Sequence, residues 1–212
     1  MDILLPLFGI VTAIAIGAAS PGPSFLLVAR IAVAGGRSRG LAAAAGMGFG
    51  GVVFAALALA GLIALLASVD WLYLLLRLAG GAYLLLLAWR IWRGARAPLA
   101  VPDDMTEASR PRGLLRAFVT GLVTQLSNPK TAVVYAGIFA ALLPAQPTAA
   151  LILVLPPLVF AVECGWYALV AVAFSATRPR AAYLRGKHWI DRCAGGVMAL
   201  LGLRLIGSSL RG

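Results

Sequence analysis

Charge is the property that this sequence has least of. Only 12% of its 212 residues are charged, against about 25% in a soluble domain. Hydrophobic residues make up 62% of the chain, its mean hydropathy is +0.96, and no polar stretch is long enough to form a separate soluble domain. The composition therefore excludes an ordinary soluble protein and predicts a single all-α integral membrane domain over residues 1–212.

Cysteine and histidine are also scarce. The two cysteines, Cys164 and Cys193, have neither metal-ligand spacing nor a secretory disulfide pattern. We interpret them as small core residues. The one histidine, His188, lies outside the predicted apolar segments, which argues against an intramembrane protease with a Ser/His or His-rich site. No cofactor and no bound metal are expected.

The formal net charge of +11 does not indicate nucleic-acid binding. The basic residues do not cluster on a polar module that could carry such binding. Most of them fall instead in the connectors between apolar segments, which is the pattern that orients membrane proteins.

Six apolar segments are long enough to cross a bilayer, since a spanning helix needs about 20 mostly apolar residues. Asp2 is the only charged residue before Arg30, so the first segment lacks the basic region of a signal peptide and we expect it to be retained. The predicted spans are Ile3–Ala29, Leu41–Val69, Trp71–Trp92, Leu114–Leu143, Ala149–Ala176 and Trp189–Leu210.

The connectors between these spans alternate in charge. The first, third and fifth are rich in arginine, the second holds only Asp70, and the fourth has no charge. Because Lys and Arg accumulate on the cytoplasmic side, we predict that the three basic connectors face the cytoplasm and that both termini lie outside.

The third connector, residues 94–113, is the only long one and is rich in proline. It divides the chain into two sets of three predicted spans, residues 1–93 and 114–212. Because each half has an odd number of spans, the second half has the opposite orientation in the membrane. This is the inverted repeat that many secondary transporters share.

Each half contains a proline-based break in its first predicted span. The breaks are Ser20-Pro21-Gly22-Pro23 and Ser127-Asn128-Pro129-Lys130. Proline removes a helical hydrogen bond, and freed backbone groups in lipid cost several kcal/mol unless they find partners. Ser20-Pro21 and Asn128-Pro129 each match a cap followed by the first residue of a new helix. We therefore predict two half-helices in each of these spans.

The second half-helices would present their N-termini to the membrane centre from opposite sides. A helix N-terminus carries unpaired N–H groups and a partial positive charge, which favour an anion such as a carboxylate. Gly22 permits close approach, and Lys130 adds a full positive charge. The alternative is that the prolines only kink their helices. The predicted substrate-binding residues at the breaks are Ser20, Pro21, Gly22, Pro23, Asn128, Pro129 and Lys130.

Glu163 lies near the middle of the fifth predicted span. A charged group there costs at least about 2.5–3.5 kcal/mol, and such groups usually lie in a polar interior. Two functional roles fit: counter-charge to Lys130 or to a substrate ammonium group, and carrier of a coupling proton. The alternative is a structural ion pair.

Other features are assigned to packing or anchoring. Arg77 and Arg204 either line the outer entrance of the substrate path or anchor their helices at the interface. Asp191 is predicted at the cytoplasmic end of the sixth span and is assigned no function. A stripe of small residues predicts a close helix contact, and its members are Ala42, Gly46 and Gly50.

Together these residues resemble the LysE/RhtB family of amino-acid exporters over nearly the whole chain. The resemblance is carried by Ala19-Ser20-Pro21-Gly22-Pro23, Gly36-Arg37-Ser38-Arg39-Gly40, the Gly-rich second span and Leu126-Ser127-Asn128-Pro129-Lys130. It implies a bacterial inner-membrane protein that exports amino acids or close derivatives by proton exchange, without ATP. It also implies functional roles for Pro21, Gly22, Pro23, Asn128, Pro129 and Lys130.

The expected partners are therefore an amino acid, protons and the lipid bilayer, with a homo-oligomer left open. Three other functions remain as alternatives. A metal or other cation exporter would require clustered ligands, of which the spans offer only Glu163 with Cys164 beside it. An intramembrane enzyme and a purely structural subunit are the others.

Overall fold

The computed structural model describes residues 3–68, 70–97, 113–144 and 146–209. Most of the third connector and the side chain of Arg77 lie outside the described residues. The described elements are all helices: α1 Leu4–Ala19, α2 Pro23–Gly35, α3 Arg37–Ser68, α4 Asp70–Gly94, α5 Leu114–Leu126, α6 Pro129–Leu142, α7 Ala149–Phe174 and α8 Thr177–Ser209.

Both predicted breaks are confirmed. α1 and α2 are separated at the first break and bent by 58°, and α5 and α6 are separated at the second. Asn128 caps α6 as predicted, because its Oδ1 accepts a hydrogen bond from the Lys130 backbone N–H at 3.0 Å. The predicted Ser20-Pro21 start of α2 is wrong: Gly22 is the N-cap and Pro23 the first helical residue.

Proline alone does not make a break in this chain. Pro156 and Pro157 lie inside α7, which continues through them. At each break a residue suited to the N-cap position, Gly22 or Asn128, precedes the proline. Leu155, which precedes Pro156, is strongly disfavoured at an N-cap position.

The predicted fifth connector is wrong, because α8 already begins at Thr177 and contains the basic residues assigned to a loop. Arginine and lysine are good helix formers, and Pro179 falls in the first turn, where its missing N–H requires no partner. α2 and α3 also extend beyond their predicted ends. They meet at Gly36, whose φ of 80° is positive and suits glycine.

By length and composition, α7 and the Arg37–Gly61 part of α3 can each cross a membrane alone. The bent pair of α1 and α2 is a third candidate, while α5 and α6 are shorter apolar helices. This criterion therefore finds two or three spans in the described part of the chain. The arrangement of six spans in two inverted repeats stays a prediction.

The first break lies between two apolar clusters. α1 contributes Ile10 and Ile14 to one cluster, and α2 contributes Phe25 and Val28 to the other. The chain between these helices therefore passes from one cluster to the other, and buried polar side chains collect there.

The predicted small-residue contact is confirmed in the packing of α3 against α5. A Cβ atom on Gly46 would overlap the Phe118 carbonyl oxygen and lie 2.7 Å from the Leu122 backbone nitrogen. A Cβ on Gly50 would lie 2.7 Å from the Gln125 side chain. The absence of side chains at Gly46 and Gly50 therefore sets how closely the two helices approach.

Candidate functional site

The two breaks meet in the fold. The Lys130 ammonium group donates a hydrogen bond to the Ser20 carbonyl oxygen at 2.9 Å. Asn128 Nδ2 donates to Ser24 Oγ at 2.9 Å. The first contact gives a partner to a carbonyl at the end of α1, which the helix itself leaves unpaired. The second joins the start of α6 to the start of α2.

Gly22 makes room for Lys130. A Cβ atom at Gly22 would lie 3.4 Å from Lys130 Cδ and 3.5 Å from its Nζ. The backbone there is extended, with φ of −150°, so glycine is not required for conformation. Pro21 and Pro23 line the larger of two cavities beside the break, and Pro129 is the exposed first residue of α6.

A buried chain of hydrogen bonds connects Glu163 to both breaks. Tyr135 Oη donates to Glu163 Oε1 at 2.9 Å, and Gln125 Nε2 donates to Glu163 Oε2 at 3.1 Å. Ser24 Oγ donates to Gln125 Oε1 at 2.6 Å and accepts from Asn128. The prediction from sequence missed Ser24, Gln125 and Tyr135, although a glutamine in an apolar segment was an available signal.

Glu163 and Lys130 do not form the structural ion pair considered from the sequence. Glu163 is 2% exposed, and its hydrogen-bond donors in the described structure are the uncharged Tyr135 and Gln125. Lys130 is hydrogen-bonded to a backbone carbonyl instead. The carboxyl group is therefore held in place by neutral polar groups.

Two cavities flank Lys130. The inner cavity lies between the breaks and Glu163 and has a volume of about 20 Å³, which suffices for a water molecule but not for an amino acid. The second cavity, here called the vestibule, has a volume of about 380 Å³ and extends to the end of α4 and to α8. Ser20, Gly22 and Lys130 line both, so Lys130 lies at the boundary between them.

Asp191 lines the vestibule together with residues of the first break. It lies inside α8, which begins at Thr177, and is 3% exposed, while its predicted place at the cytoplasmic end of a span stays a prediction. Its Oδ2 accepts a hydrogen bond from Lys187 at 2.7 Å, and Lys187 also donates to the Gly94 and Ala95 carbonyls. Asp191 Oδ1 is buried and has no hydrogen-bond partner among the described residues.

Arg204, Cys164 and Cys193, which were also singled out from the sequence, are not among the residues that line the two cavities. Arg204 is exposed, which favours the anchoring interpretation. Cys164 is half-buried, Cys193 is exposed, and both are free thiols. Among the described residues, no group of three or more His, Cys, Asp and Glu side chains could hold a metal ion.

A helical chain with broken helices around a buried polar site has the arrangement of a membrane transporter. The chain belongs to the family of LysE type translocators, whose model matches residues 15–209. This confirms the resemblance to the LysE/RhtB family and the prediction of a multi-pass transporter of the bacterial inner membrane rather than an enzyme.

Curated relatives are similar over most of the chain. The threonine efflux protein of Escherichia coli K12 is 30% identical over 189 residues, covering 88% of this chain and 90% of that protein. The threonine efflux protein of Salmonella typhi is 31% identical with the same coverage. The leucine efflux protein of Klebsiella pneumoniae is 32% identical over 56% of this chain and 54% of that protein. No solved structure matches the chain.

Proposed function

We propose that this protein is a secondary active exporter of amino acids or close derivatives, working by proton antiport across the bacterial inner membrane. Family membership and the relatives named for threonine and leucine efflux support the class of substrate. The observation that carries the proposed mechanism is the Lys130 hydrogen bond to Ser20. It joins the two breaks at the boundary between two cavities.

The proposed membrane arrangement has six spans, with α1 and α2 forming one and α5 and α6 another. Residues 1–93 and 114–212 are the inverted repeats, residues 94–113 are the cytoplasmic linker, and both termini lie outside. The vestibule then faces the cytoplasm, since it is lined by the end of α4 just before this linker. The described conformation corresponds to an exporter open to the side from which its substrate comes.

In this mechanism the substrate carboxylate binds near Lys130 and the N-termini of α2 and α6. The Lys130 ammonium group exchanges the neutral Ser20 carbonyl for the carboxylate, and charge-assisted hydrogen bonds of this kind are about twice as strong as neutral ones. The exchange also releases the contact that joins the breaks. Substrate binding and rearrangement of the two broken spans are thereby coupled.

Glu163 is the proposed carrier of the coupling proton. A carboxylate inside a membrane protein with only neutral partners is costly, and protonation removes its charge. The hydrogen bonds through Gln125 and Ser24 extend from this carboxyl group to Asn128 at the second break. A change in protonation at Glu163 therefore alters the contacts between the breaks.

Counterflow in proteoliposomes tests the proposed function. Purified protein is reconstituted with one unlabelled amino acid inside, and uptake of the labelled amino acid is measured across a panel that includes L-threonine and L-leucine. We expect at least one amino acid to exchange and an imposed pH gradient to drive its net movement. Absence of exchange by every amino acid tested would contradict amino-acid export, and net transport indifferent to the pH gradient would contradict proton antiport.

Replacement of Lys130 by methionine is expected to weaken transport strongly. A hydrogen bond to a charged group contributes about 1.5–3 kcal/mol, which corresponds to a loss of about tenfold or more in substrate affinity. Counterflow is measured over a range of substrate concentrations. Arg116→Met is the matched control, because Arg116 is exposed on α5. Equal affinities in the two variants would exclude Lys130 as the carboxylate partner.

A further inference from the structure

We propose that the vestibule is a loading site for a zwitterionic amino acid with an uncharged side chain, with Asp191 accepting the ammonium group and Lys130 the carboxylate. This inference rests on the proposed export of amino acids and names the residues and the substrate class of its first binding step.

The vestibule and the inner cavity differ in volume. The inner cavity of about 20 Å³ cannot hold an amino acid in this conformation. The vestibule of about 380 Å³ lies in the size range of small-molecule binding sites. A substrate arriving through the vestibule therefore first contacts Asp191 and Lys130. It reaches Glu163 only after the breaks rearrange.

The ammonium position follows from the unpaired oxygen of Asp191. A buried acceptor without a donor is unfavourable, and a ligand that supplies the donor removes this penalty. Lys187 does not supply it, because it is held by Asp191 Oδ2 and by the Gly94 and Ala95 carbonyls. We expect the Asp191 carboxylate to turn toward the vestibule when an ammonium group enters, since Oδ1 is buried beneath its surface.

The charges lining the vestibule set the substrate class. Its described lining contains three cations, Arg90, Lys130 and Lys187, and one carboxylate, Asp191. The surplus of positive charge attracts a substrate carboxylate and repels a second ammonium group. A neutral amino acid can satisfy both Lys130 and Asp191, whereas L-lysine brings an extra cation that finds no second carboxylate.

A purely structural role for Asp191 accounts for only part of these contacts. The Lys187–Asp191 ion pair and the two carbonyl contacts of Lys187 fasten α8 to the end of α4. That role explains the hydrogen bond that Oδ2 accepts from Lys187. It does not explain why Oδ1 is buried without a described partner. It also gives no reason for the pair to line the same cavity as Lys130.

Ligand binding to the protein in lipid nanodiscs distinguishes the two roles. The probes are L-threonine, L-leucine, their N-acetyl derivatives, which lack the ammonium group, and L-lysine. We expect wild-type protein to bind L-threonine or L-leucine about tenfold or more tightly than its N-acetyl derivative and than L-lysine. The Asp191→Asn variant should lose the preference for the free amino acid over its N-acetyl derivative. The substitution should weaken binding of the free amino acid and leave binding of the N-acetyl derivative unchanged. Cys193→Ala, on the same helix and exposed, should keep the preference.

Several results would overturn the loading site. One is equal weakening of the free and acetylated ligands by Asp191→Asn, which would indicate a structural role, and another is no weakening of either. If the variant does not fold, equal affinities of the wild type for the free and acetylated ligands overturn the site. If any of these results is obtained while the wild-type protein still shows counterflow, only the loading site is overturned. Absence of both binding and counterflow removes the proposed function as well.

Discussion

Glu163→Gln is expected to abolish transport driven by a pH gradient while preserving exchange of substrate. Glutamine keeps the shape of the side chain, and its amide oxygen can still accept the hydrogen bond from Tyr135. It cannot bind and release a proton as a carboxyl group does. The disturbed hydrogen bond to Gln125 contributes about 1 kcal/mol, so we expect counterflow to fall by no more than about tenfold. Both activities are measured on the same proteoliposomes.

The matched control for this variant is Gly165→Ala. Gly165 lies two residues further along α7, and a Cβ atom there meets no described atom outside its own stretch of helix within 4 Å. This control should retain both activities. If Glu163→Gln also keeps its response to the pH gradient, Glu163 is not the proton carrier. If it loses counterflow entirely while the protein remains folded, Glu163 binds the substrate ammonium instead.

The residues at the breaks were predictable because their signals are local in the sequence. A capping residue, a proline and an apolar surrounding are adjacent to one another, and Asn128-Pro129 starts a helix as these signals indicate. The choice between Ser20 and Gly22 as the cap of α2 was not predictable in this way. Pro21 and Pro23 offer two equivalent starting points, and the contact of Gly22 with Lys130 is a tertiary one.

The network around Glu163 depends on contacts between distant parts of the chain. Ser24 and Gln125 are 101 residues apart in sequence and share a hydrogen bond of 2.6 Å. The depth of Glu163 in its span indicated that it requires polar partners, but not which residues supply them. They come from α2, α5 and α6, whose relative positions follow from packing.

Asp191 illustrates how an error in a helix boundary changes the interpretation of a site. With the sixth span starting at Trp189, Asp191 belongs to a helix end. In the structure α8 starts at Thr177, so Asp191 lies well inside the helix and Lys187 lies one turn before it on the same face. The basic residues of this segment are good helix formers and belong to α8. Their charge alone had indicated a loop.

Gly46→Val is expected to have the largest effect on stability of any single substitution considered for this protein. The new side chain would collide with the Phe118 carbonyl and the Leu122 backbone nitrogen on α5. Overpacking typically costs about 1–3 kcal/mol and occasionally more. Because backbone atoms cannot rotate away as a side chain can, we expect at least about 3 kcal/mol here. Thermal unfolding in detergent should occur roughly 6 °C or more below the wild type, at about 2–4 °C per kcal/mol.

The effect of Gly46→Val should extend to transport, because α5 carries Gln125, one of the two donors to Glu163. Separation of α3 from α5 moves that donor, so any folded fraction of the variant should respond weakly to a pH gradient. The matched control is Gly61→Val, the same substitution in the same helix, where a Cβ atom meets no described atom of another part of the chain within 4 Å. Similar melting temperatures for the two variants would show that close contact of α3 with α5 does not hold the network in place. A destabilised Gly46→Val protein with normal proton coupling would instead separate the stability of this contact from the position of Gln125.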